Sequence, residues 1–435
     1  MFAHPRNEHK NSHFGSVKNF SQCAIGCGAD DPLPRLSDFD LPAHAELWHS
    51  LRDFKRKGVV TVQLTSKERI MRIFRGEPVD RPAFKLWGAG PVGPQLHPSY
   101  QKVSELAFET TDLFIGAGFP FHIYFGAANT EYEEVYYEDT KDPLWKNRHC
   151  LYHTPKGDLH GVERVSVIGD PSYTVEYLCK QPSDIEAILS LPYKPAAVDR
   201  KAYDQMVSAV GDRGVVMPAL DHAGYALQRI LGSENLALFS VDHRDLLLEA
   251  TKVFSERILD HAKQILSAGI RAPFQWVGPE VFLPPLMGPN DFEDFVYRFD
   301  RPLCDEIHSG GGYVWVHSHN KVSNFIPRFI DMGVDVLNPL EPPKNGDVTL
   351  CDAVAAYGDQ IGWEGNIEIQ ELLQAEPKRL TQLIDDCVRA GSESGRFILC
   401  PSAGYMEYAN PSERYINNLM LYLRHGLECV ERYRK

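Results

Sequence analysis

The chain has 435 residues, of which 43% are hydrophobic, so it can bury the core of one large domain with extensions or of two ordinary domains. Its formal charge is −14, and it has no basic block and no Lys/Arg stripe interleaved with aromatic residues. This balance argues against nucleic acids and anionic membranes as partners and favours a small-molecule substrate.

The expected location is the cytoplasm. No run of residues approaches the ~18 apolar residues of a membrane span, and the first ten residues lack the apolar core of a signal peptide. The nine cysteines are odd in number and scattered along the chain, which is not the pattern of a disulfide framework. A reducing compartment therefore suits them better.

Residues 1–63 are predicted to be an N-terminal extension that is partly ordered. They are rich in His, Asn, Ser and Pro and carry only a modest helical signal. Cys23 and Cys27, with two histidines upstream, could bind a metal, but their spacing matches no ordinary zinc module. The main domain is placed at residues 64–435, where Thr65 caps the first clear helix.

Residues from about 112 to 182 differ in character from the rest of the chain. Aromatic and charged residues alternate through Glu131–Tyr137, Leu159–Ile168 and Tyr173–Leu178. Such alternation is typical of strands with one solvated face. We therefore expect an insertion of antiparallel β-hairpins over one end of the main domain.

Short apolar strands alternate with longer amphipathic helices over the remainder, which predicts an α/β fold with a parallel sheet. Eight strands are the number that closes a (β/α)8 TIM barrel, and a doubly wound open sheet is the alternative. One long helix is expected over Ile369–Arg389. The eight predicted strands are Pro82–Trp87, Asp112–Ile115, Val215–Leu220, Ile270–Val277, Tyr313–His317, Val334–Asn338, Gln360–Trp363 and Arg396–Cys400.

A group of possible metal ligands follows the later strands. His317 and His319 are two residues apart at the end of one strand, so both side chains point the same way. Glu341 follows the next strand, and Cys400 ends the last one. These four side chains suit zinc, and the His/His/Glu set also suits iron or manganese. The alternative is a pair of hydrogen-bonded histidines with no metal.

Other candidate site residues lie near the ends of the remaining strands or in the insertion, because strand ends build the site in such barrels. Three of them, Asp221, His222 and Glu280, could transfer protons. Aromatic side chains could line an apolar pocket for a substrate. The predicted substrate-binding residues are Trp87, Tyr124, Trp276, Asn366 and Tyr405.

Several of these segments resemble the uroporphyrinogen decarboxylase superfamily, and most of all its branch of cobalamin-dependent methyltransferases. The resemblance covers roughly Thr65–Arg432 and implies the same (β/α)8 barrel. The segments that carry it are Thr65–Pro82, His317–Asn320, Gly333–Pro339, Gly365–Ile367 and Phe397–Pro401.

Two departures from the family pattern matter for function. The decarboxylases carry arginines after the first strand to hold porphyrinogen carboxylates, and the residues after Trp87 include none, so uroporphyrinogen is a doubtful substrate. The methyltransferases bind zinc through His-x-Cys and a Cys after the last strand. Here His317 matches, His319 stands in place of the first Cys, and Cys400 is a displaced substitute for the second, whose position falls near Ala403.

The leading hypothesis is a metal-dependent methyltransferase or O-demethylase. It would move a methyl group between a small substrate, with an aromatic ether as one candidate, and a corrinoid or thiol acceptor, the corrinoid being carried by a partner protein. The alternatives are a metal-free decarboxylase of a carboxylated small molecule, in the manner of uroporphyrinogen decarboxylase, and an inactive barrel used for binding. A homodimer is compatible with each of them.

Overall fold

The computed structural model describes residues 63–91, 97–127, 131–168, 170–407 and 410–434. Nearly all of the predicted N-terminal extension, including Cys23 and Cys27, lies outside the described residues. The extension and its boundary with the main domain stay predictions.

The described part is a mixed α/β fold with parallel strands and helices, as predicted. Its strands are β1 Ala83–Phe84, β2 Leu113–Ala117, β3 Glu133–Asp139, β4 Trp145–Thr154, β5 Gly157–Ser166, β6 Tyr173–Glu176, β7 Gly214–Pro218, β8 Pro273–Val277, β9 Tyr313–His317, β10 Val336–Asn338, β11 Gly362–Ile367 and β12 Phe397–Pro401. Its α-helices are α1 Ser66–Arg75, α2 Gln101–Thr110, α3 Pro182–Leu189, α4 Arg200–Val210, α5 Ala223–Asp242, α6 Arg244–Ser267, α7 Pro289–Phe292, α8 Arg298–Ser309, α9 Ile326–Met332, α10 Leu350–Tyr357, α11 Ile369–Gln374, α12 Pro377–Ser392 and α13 Glu413–Arg432.

Parallel strands form two hydrogen-bonded groups that meet at both edges. One group has the order β1-β12-β11-β10-β9-β8, and the other pairs β2 with β7. A parallel bridge joins Ala219, just past β7, to Gln275 in β8. At the other edge the Asp112 amide, just before β2, donates to the Phe84 carbonyl in β1 at 2.7 Å. This cyclic order is consistent with the predicted barrel.

Strands β3 to β6 form a separate antiparallel sheet between β2 and β7 in the chain. The longest of its pairings joins β4 and β5, from Trp145 opposite Ser166 to Thr154 opposite Gly157. Strand β4 was not predicted. Its sequence mixes basic, amide and histidine side chains without a run of β-branched residues, and its two neighbouring strands supply the pairing.

The long helix predicted over Ile369–Arg389 is wrong, because the structure has two helices there. Helix α11 ends at Gln374 and α12 begins at Pro377. Proline has no amide hydrogen for the helix ladder, and it disfavours helical geometry at the residue before it. Glu376 is accordingly extended, with φ −70° and ψ 147°, so the break lies directly before the proline.

The amino-terminal ends of β1 and β2 are joined by a buried group of charges. Asp112 accepts hydrogen bonds from Arg69 at 2.7 Å, from Arg81 at 3.0 Å and from the Phe84 amide at 2.8 Å. Asp80 accepts two further hydrogen bonds from the Arg69 guanidinium, from Nε to Oδ1 at 2.7 Å and from Nη2 to Oδ2 at 2.9 Å. These contacts fasten α1 and the first two strands together.

Within the described residues, no helix combines the length and apolar character that a membrane span requires.

A histidine near the end of α8 provides a pH-dependent contact with the residue just before β10. His308 Nε2 lies 2.9 Å from Asp335 Oδ2, and this hydrogen bond raises the pKa of His308 although partial burial opposes it. A raised folded-state pKa stabilises the fold below the unfolded value and loses that contribution as the pH rises through the folded value. We therefore expect His308→Gln to lower the melting temperature more at pH 6 than at pH 9. Equal losses at both values would contradict the role of the charged pair.

Candidate active site

Two histidines lie side by side at the carboxyl end of β9. His317 is the last residue of the strand and pairs with Asn338 of β10, while His319 follows two residues later. Their ring centroids are 4.5 Å apart and the ring planes are nearly perpendicular, at 82°. Strand pairing thus fixes the first ring, and the chain leaving the strand brings the second against it.

His317 is held by an amide. Its Nδ1 lies 2.5 Å from Oδ1 of Asn338. Burial, with the nearby charges of His319 and Lys85, lowers the pKa of His317 to about 3, even though the bond to Asn338 acts in the opposite direction. The ring is therefore neutral near pH 7.

His319 is held by a carboxylate. Its Nδ1 lies 2.9 Å from Oε1 of Glu341, whose Oε2 accepts the Asn320 amide at 2.9 Å. Burial by itself lowers the pKa of His319, but Glu341, with the charges of Glu280 and Glu368, raises it above its usual value. The two neighbouring imidazoles thus have opposite pKa shifts.

A buried ion pair that no local sequence pattern indicates is linked to His317. Nζ of Lys85, the residue after β1, is 2.6 Å from Oε1 of Glu364 in β11. The same carboxylate accepts the indole N–H of Trp315 at 2.7 Å and the amide of Asn338 at 2.9 Å. These contacts connect Lys85, Trp315 and Glu364 to His317 through Asn338.

Trp87 packs over this group, just past β1. Its ring centroid is 5.9 Å from that of His317, and Lys85 Nζ lies 4.0 Å from the Trp87 ring. The indole N–H donates to the Pro401 carbonyl at 2.9 Å, which fixes the ring. The structure places Trp87 beside the imidazole of His317. Its role in substrate binding stays a prediction.

Cys400 lies close to the ion pair of Lys85 and Glu364. The thiol is buried near Glu364 and Lys85, and burial raises its pKa well above the usual value. It connects to His317 through Glu364 and Asn338. Among the described residues, no group of three or more His, Cys, Asp or Glu side chains is arranged to hold a metal ion. The four-ligand metal site stays a prediction.

Two further carboxyl groups, those of Glu280 and Glu368, raise the pKa of His319 through their charge. Burial raises the pKa of Glu280, which lies after β8, and the charges of His319 and His222 act against that rise. Burial and the charge of Glu341 raise the pKa of Glu368 to about 7. Glu368 was missed, although its place directly after the end of β11 is the same signal that selected the other candidates.

His222, the second predicted proton-transfer residue, pairs with a group that the sequence did not indicate. Its Nε2 is 3.2 Å from Oδ2 of Asp300 in α8. The same oxygen accepts the Trp276 indole N–H at 3.3 Å, so Trp276 is held in buried packing. Asp221 is half-buried, and burial raises its pKa.

The remaining candidates lie in three different surroundings. Tyr124 is buried against Tyr152 and Phe254, and Tyr405 is buried edge-on against Tyr100. Asn366 lines a cavity of about 540 Å³ between α12 and the loop after β10. The structure therefore groups Trp87 with the histidines and places these three residues in other packing contacts, while their roles in binding stay predictions.

The donor chemistry at the two histidines suits a metal ion. A ligating histidine usually has its other ring nitrogen fixed by a carboxylate or carbonyl oxygen. Both Nδ1 atoms here meet such oxygens, from Asn338 and Glu341, so both Nε2 atoms remain available. Glu341 has the position of an orienting partner for His319. The pair can therefore offer a metal two nitrogen donors, one from each ring.

Comparison with solved structures shows a similarity of fold. A methyltransferase from Methanosarcina mazei is similar over 83% of this chain and 98% of its own, with a TM-score of 0.52 and 15% sequence identity. At this identity the likeness concerns the fold. The Bacillus subtilis mannanase BCman and the YdhT protein from Bacillus subtilis each share 9% identity and cover 80% of this chain, and 88% and 90% of their own. Their TM-scores, both 0.37, are too low to inform on fold or function.

The family comparison covers the part of the chain that holds the two histidines. No curated protein matches the sequence. Residues 232–413 match the family model described as uroporphyrinogen decarboxylase (URO-D), and this range includes β8 to β12, His317, His319 and Glu341. The resemblance to the uroporphyrinogen decarboxylase superfamily predicted from the sequence is thereby confirmed over this segment.

Proposed function

We propose that this chain is an enzyme that transfers a methyl group at a metal ion held by His317 and His319. The observation that carries the proposal is the pair of imidazoles with centroids 4.5 Å apart, each with its Nδ1 anchored by an oxygen. The match to the family model supports the superfamily, and the methyltransferase from Methanosarcina mazei supports the fold.

The proposed setting is the carboxyl end of a closed (β/α)8 barrel. The contacts between β7 and β8 and between β1 and β2 support closure, because they join the edges of the two parallel groups. In such a barrel the residues after the strands build the site. His317 ends β9 and His319 follows it, while Glu341 follows the adjacent strand β10.

The residues have separate roles in the proposed reaction. A bound metal would polarise the heteroatom that carries or receives the methyl group, or ionise a bound thiol. Asn338 and Glu341 orient the two ligands through their Nδ1 atoms, and the Trp87 ring packs nearly perpendicular to the His317 ring. The proposed partners of the chain are a small methylated substrate, for example an aryl ether, and a thiol or a corrinoid on a partner protein as acceptor.

The test of this proposal is metal content together with methyl transfer. We expect about one zinc, iron or manganese ion per purified wild-type chain, as one two-histidine site would hold, and loss of that metal in His319→Ala. Methyl transfer between methylcobalamin and a thiol, followed by the corrinoid spectrum, should fall with the metal. The fold should persist, because His319 lies past the strand end.

His153→Gln is the matched control for this experiment. His153 lies on β4 with 41% of its side chain exposed and contacts Asp158 and Glu134. Its replacement should leave metal content and methyl transfer unchanged. A wild-type protein that takes up no metal on supplementation, or an unchanged metal content in His319→Ala, would remove the basis of the proposal.

Metal-free decarboxylation is the second candidate, and one observation favours it. Buried Glu280 carries a raised pKa and lies close enough to His222 and His319 for their charges to lower it in part. A carboxyl group with a raised pKa is a better candidate for a general acid than an ordinary one. Release of carbon dioxide by metal-free protein, lost in Glu280→Gln, would favour this function over methyl transfer.

A further inference from the structure

A chain of hydrogen bonds runs from Lys85 to His317 across four strands. Lys85 Nζ lies 2.6 Å from Oε1 of Glu364, Asn338 Nδ2 donates to that oxygen at 2.9 Å, and Asn338 Oδ1 lies 2.5 Å from His317 Nδ1. Asn338 and Glu364 are fully buried, and Asn338 is the direct strand partner of His317. The geometry is therefore set by the sheet.

Glu364 determines which way the Asn338 amide points. An ammonium group and an indole N–H can only donate hydrogen bonds, so both Glu364 oxygens act as acceptors, toward Lys85 and Trp315. The Lys85 contact at 2.6 Å and the Trp315 contact at 2.7 Å thus place a donor on each oxygen of Glu364. The Asn338 group that faces it must then be the NH2 end, and the carbonyl oxygen faces His317.

The orientation of Asn338 in turn determines the tautomer of His317. A carbonyl oxygen can only accept, so the ring nitrogen at 2.5 Å, Nδ1, must carry the hydrogen. A neutral imidazole has one N–H, which leaves the Nε2 lone pair bare. Amide and ring orientations are normally assigned by such networks, and here each step has one solution.

We propose that Glu364 and Asn338 are positioning residues that hold His317 as the Nδ1–H tautomer and keep its Nε2 as the nitrogen open to a ligand. The consequence for metal binding rests on the proposed function, whereas the tautomer itself does not. Lys85 contributes by keeping Glu364 an acceptor. The role of this network is to select one of two nitrogens before any ligand arrives.

The direct test is nitrogen NMR of the full chain with 15N-labelled histidine, after removal of metal by a chelator. Loss of one ring signal set in His317→Gln assigns the residue. At pH 7 the wild type should show a protonated Nδ1 and an unprotonated Nε2. A wild-type His317 with its hydrogen on Nε2, or with an even mixture of tautomers, overturns the proposal without the need for any further variant.

Variants at Asn338 separate the hydrogen-bond role from packing. Asn338→Leu introduces a side chain of similar size that has no acceptor. The fraction of His317 in the Nε2–H form should therefore rise, and zinc affinity should fall by about 10- to 100-fold. Asn338→Asp keeps an acceptor facing the ring and should keep the Nδ1–H signal. Asn147→Leu on β4 is the matched control and should change neither the signals of His317 nor zinc affinity. Unchanged His317 signals in folded Asn338→Leu would contradict the proposal.

The outcomes distinguish the positioning role from the proposed function. A wild type with the expected tautomer that binds no zinc supports the role of Glu364 and Asn338 and removes the metal-dependent reaction. A wild type that binds zinc while His317 carries its hydrogen on Nε2 supports the metal-dependent reaction and removes the positioning role of Glu364 and Asn338. Each result therefore bears on one of the two claims.

Discussion

Replacing Asp112 with Ala is expected to lower the free energy of unfolding by about 3–5 kcal/mol, because breaking a buried ion pair leaves an uncompensated charge. Asp112 is fully buried and accepts from Arg69, Arg81 and the Phe84 amide. Its loss leaves Arg69 with Asp80 and Arg81 with the more exposed Glu431, so the two guanidinium groups keep two of their three carboxylate partners, and it leaves the Phe84 backbone amide without an acceptor. The unpaired buried amide alone costs about 1–3 kcal/mol.

Urea unfolding followed by circular dichroism measures this loss, with Asp204→Ala as the control. Asp204 also contacts an arginine, Arg200 at 2.7 Å, but the two side chains are 52% and 45% exposed. Exposed pairs contribute little, so the control should stay within about 0.5 kcal/mol of the wild type. Similar losses in both variants would mean that burial does not distinguish the two pairs.

The sequence located the strand that carries the candidate site because its signals were local. Tyr313–His317 is a β-branched and aromatic run after three glycines, and β9 has these bounds. The spacing of His317 and His319 placed both rings at one strand end, and the structure has them 4.5 Å apart. Whether they bind a metal with Glu341 or Cys400 stays a prediction.

Strand β11 shows what local signals could not provide. A strand was predicted over Gln360–Trp363, but the strand runs from Gly362 to Ile367 and includes Glu364. A charged residue followed by glycine indicates the end of a strand when it is considered alone. Glu364 is tolerated inside because Lys85, 279 residues earlier, neutralises it, and no local pattern carries that pairing.

The same long-range pairing explains why the sequence identified the ligands of the proposed metal but not the residues that orient them. His317 and His319 are recognisable by residue type and spacing. Asn338 was counted only as the end of a strand, and Lys85 only as part of another. Their roles depend on the register between β9 and β10 and on the approach of β1 to β11, which tertiary structure alone determines.

Replacing Lys85 with Met is expected to destabilise the protein by about 3–5 kcal/mol, since it leaves the Glu364 carboxylate buried without a cation. Glu364→Gln should cost a similar amount because it leaves the ammonium of Lys85 buried, with only the rings of Trp87, Phe114 and Trp315 nearby. The double variant contains neither charge. Its loss should therefore be smaller than the sum of the two single losses by about 2–3 kcal/mol.

The double-mutant cycle, measured by urea unfolding, also separates the charge pair from the site above it. In Lys85→Met with Glu364→Gln, the side chain at 364 is an amide that can donate as well as accept, so the fixed orientation of Asn338 is no longer required. Stability is then partly recovered, while the fraction of His317 in the Nδ1–H form should stay below that of the wild type. If the loss of unfolding free energy in the double variant equals the sum of the two single losses, Lys85 and Glu364 do not act as a buried ion pair. The argument for the orientation of Asn338 would then fail as well.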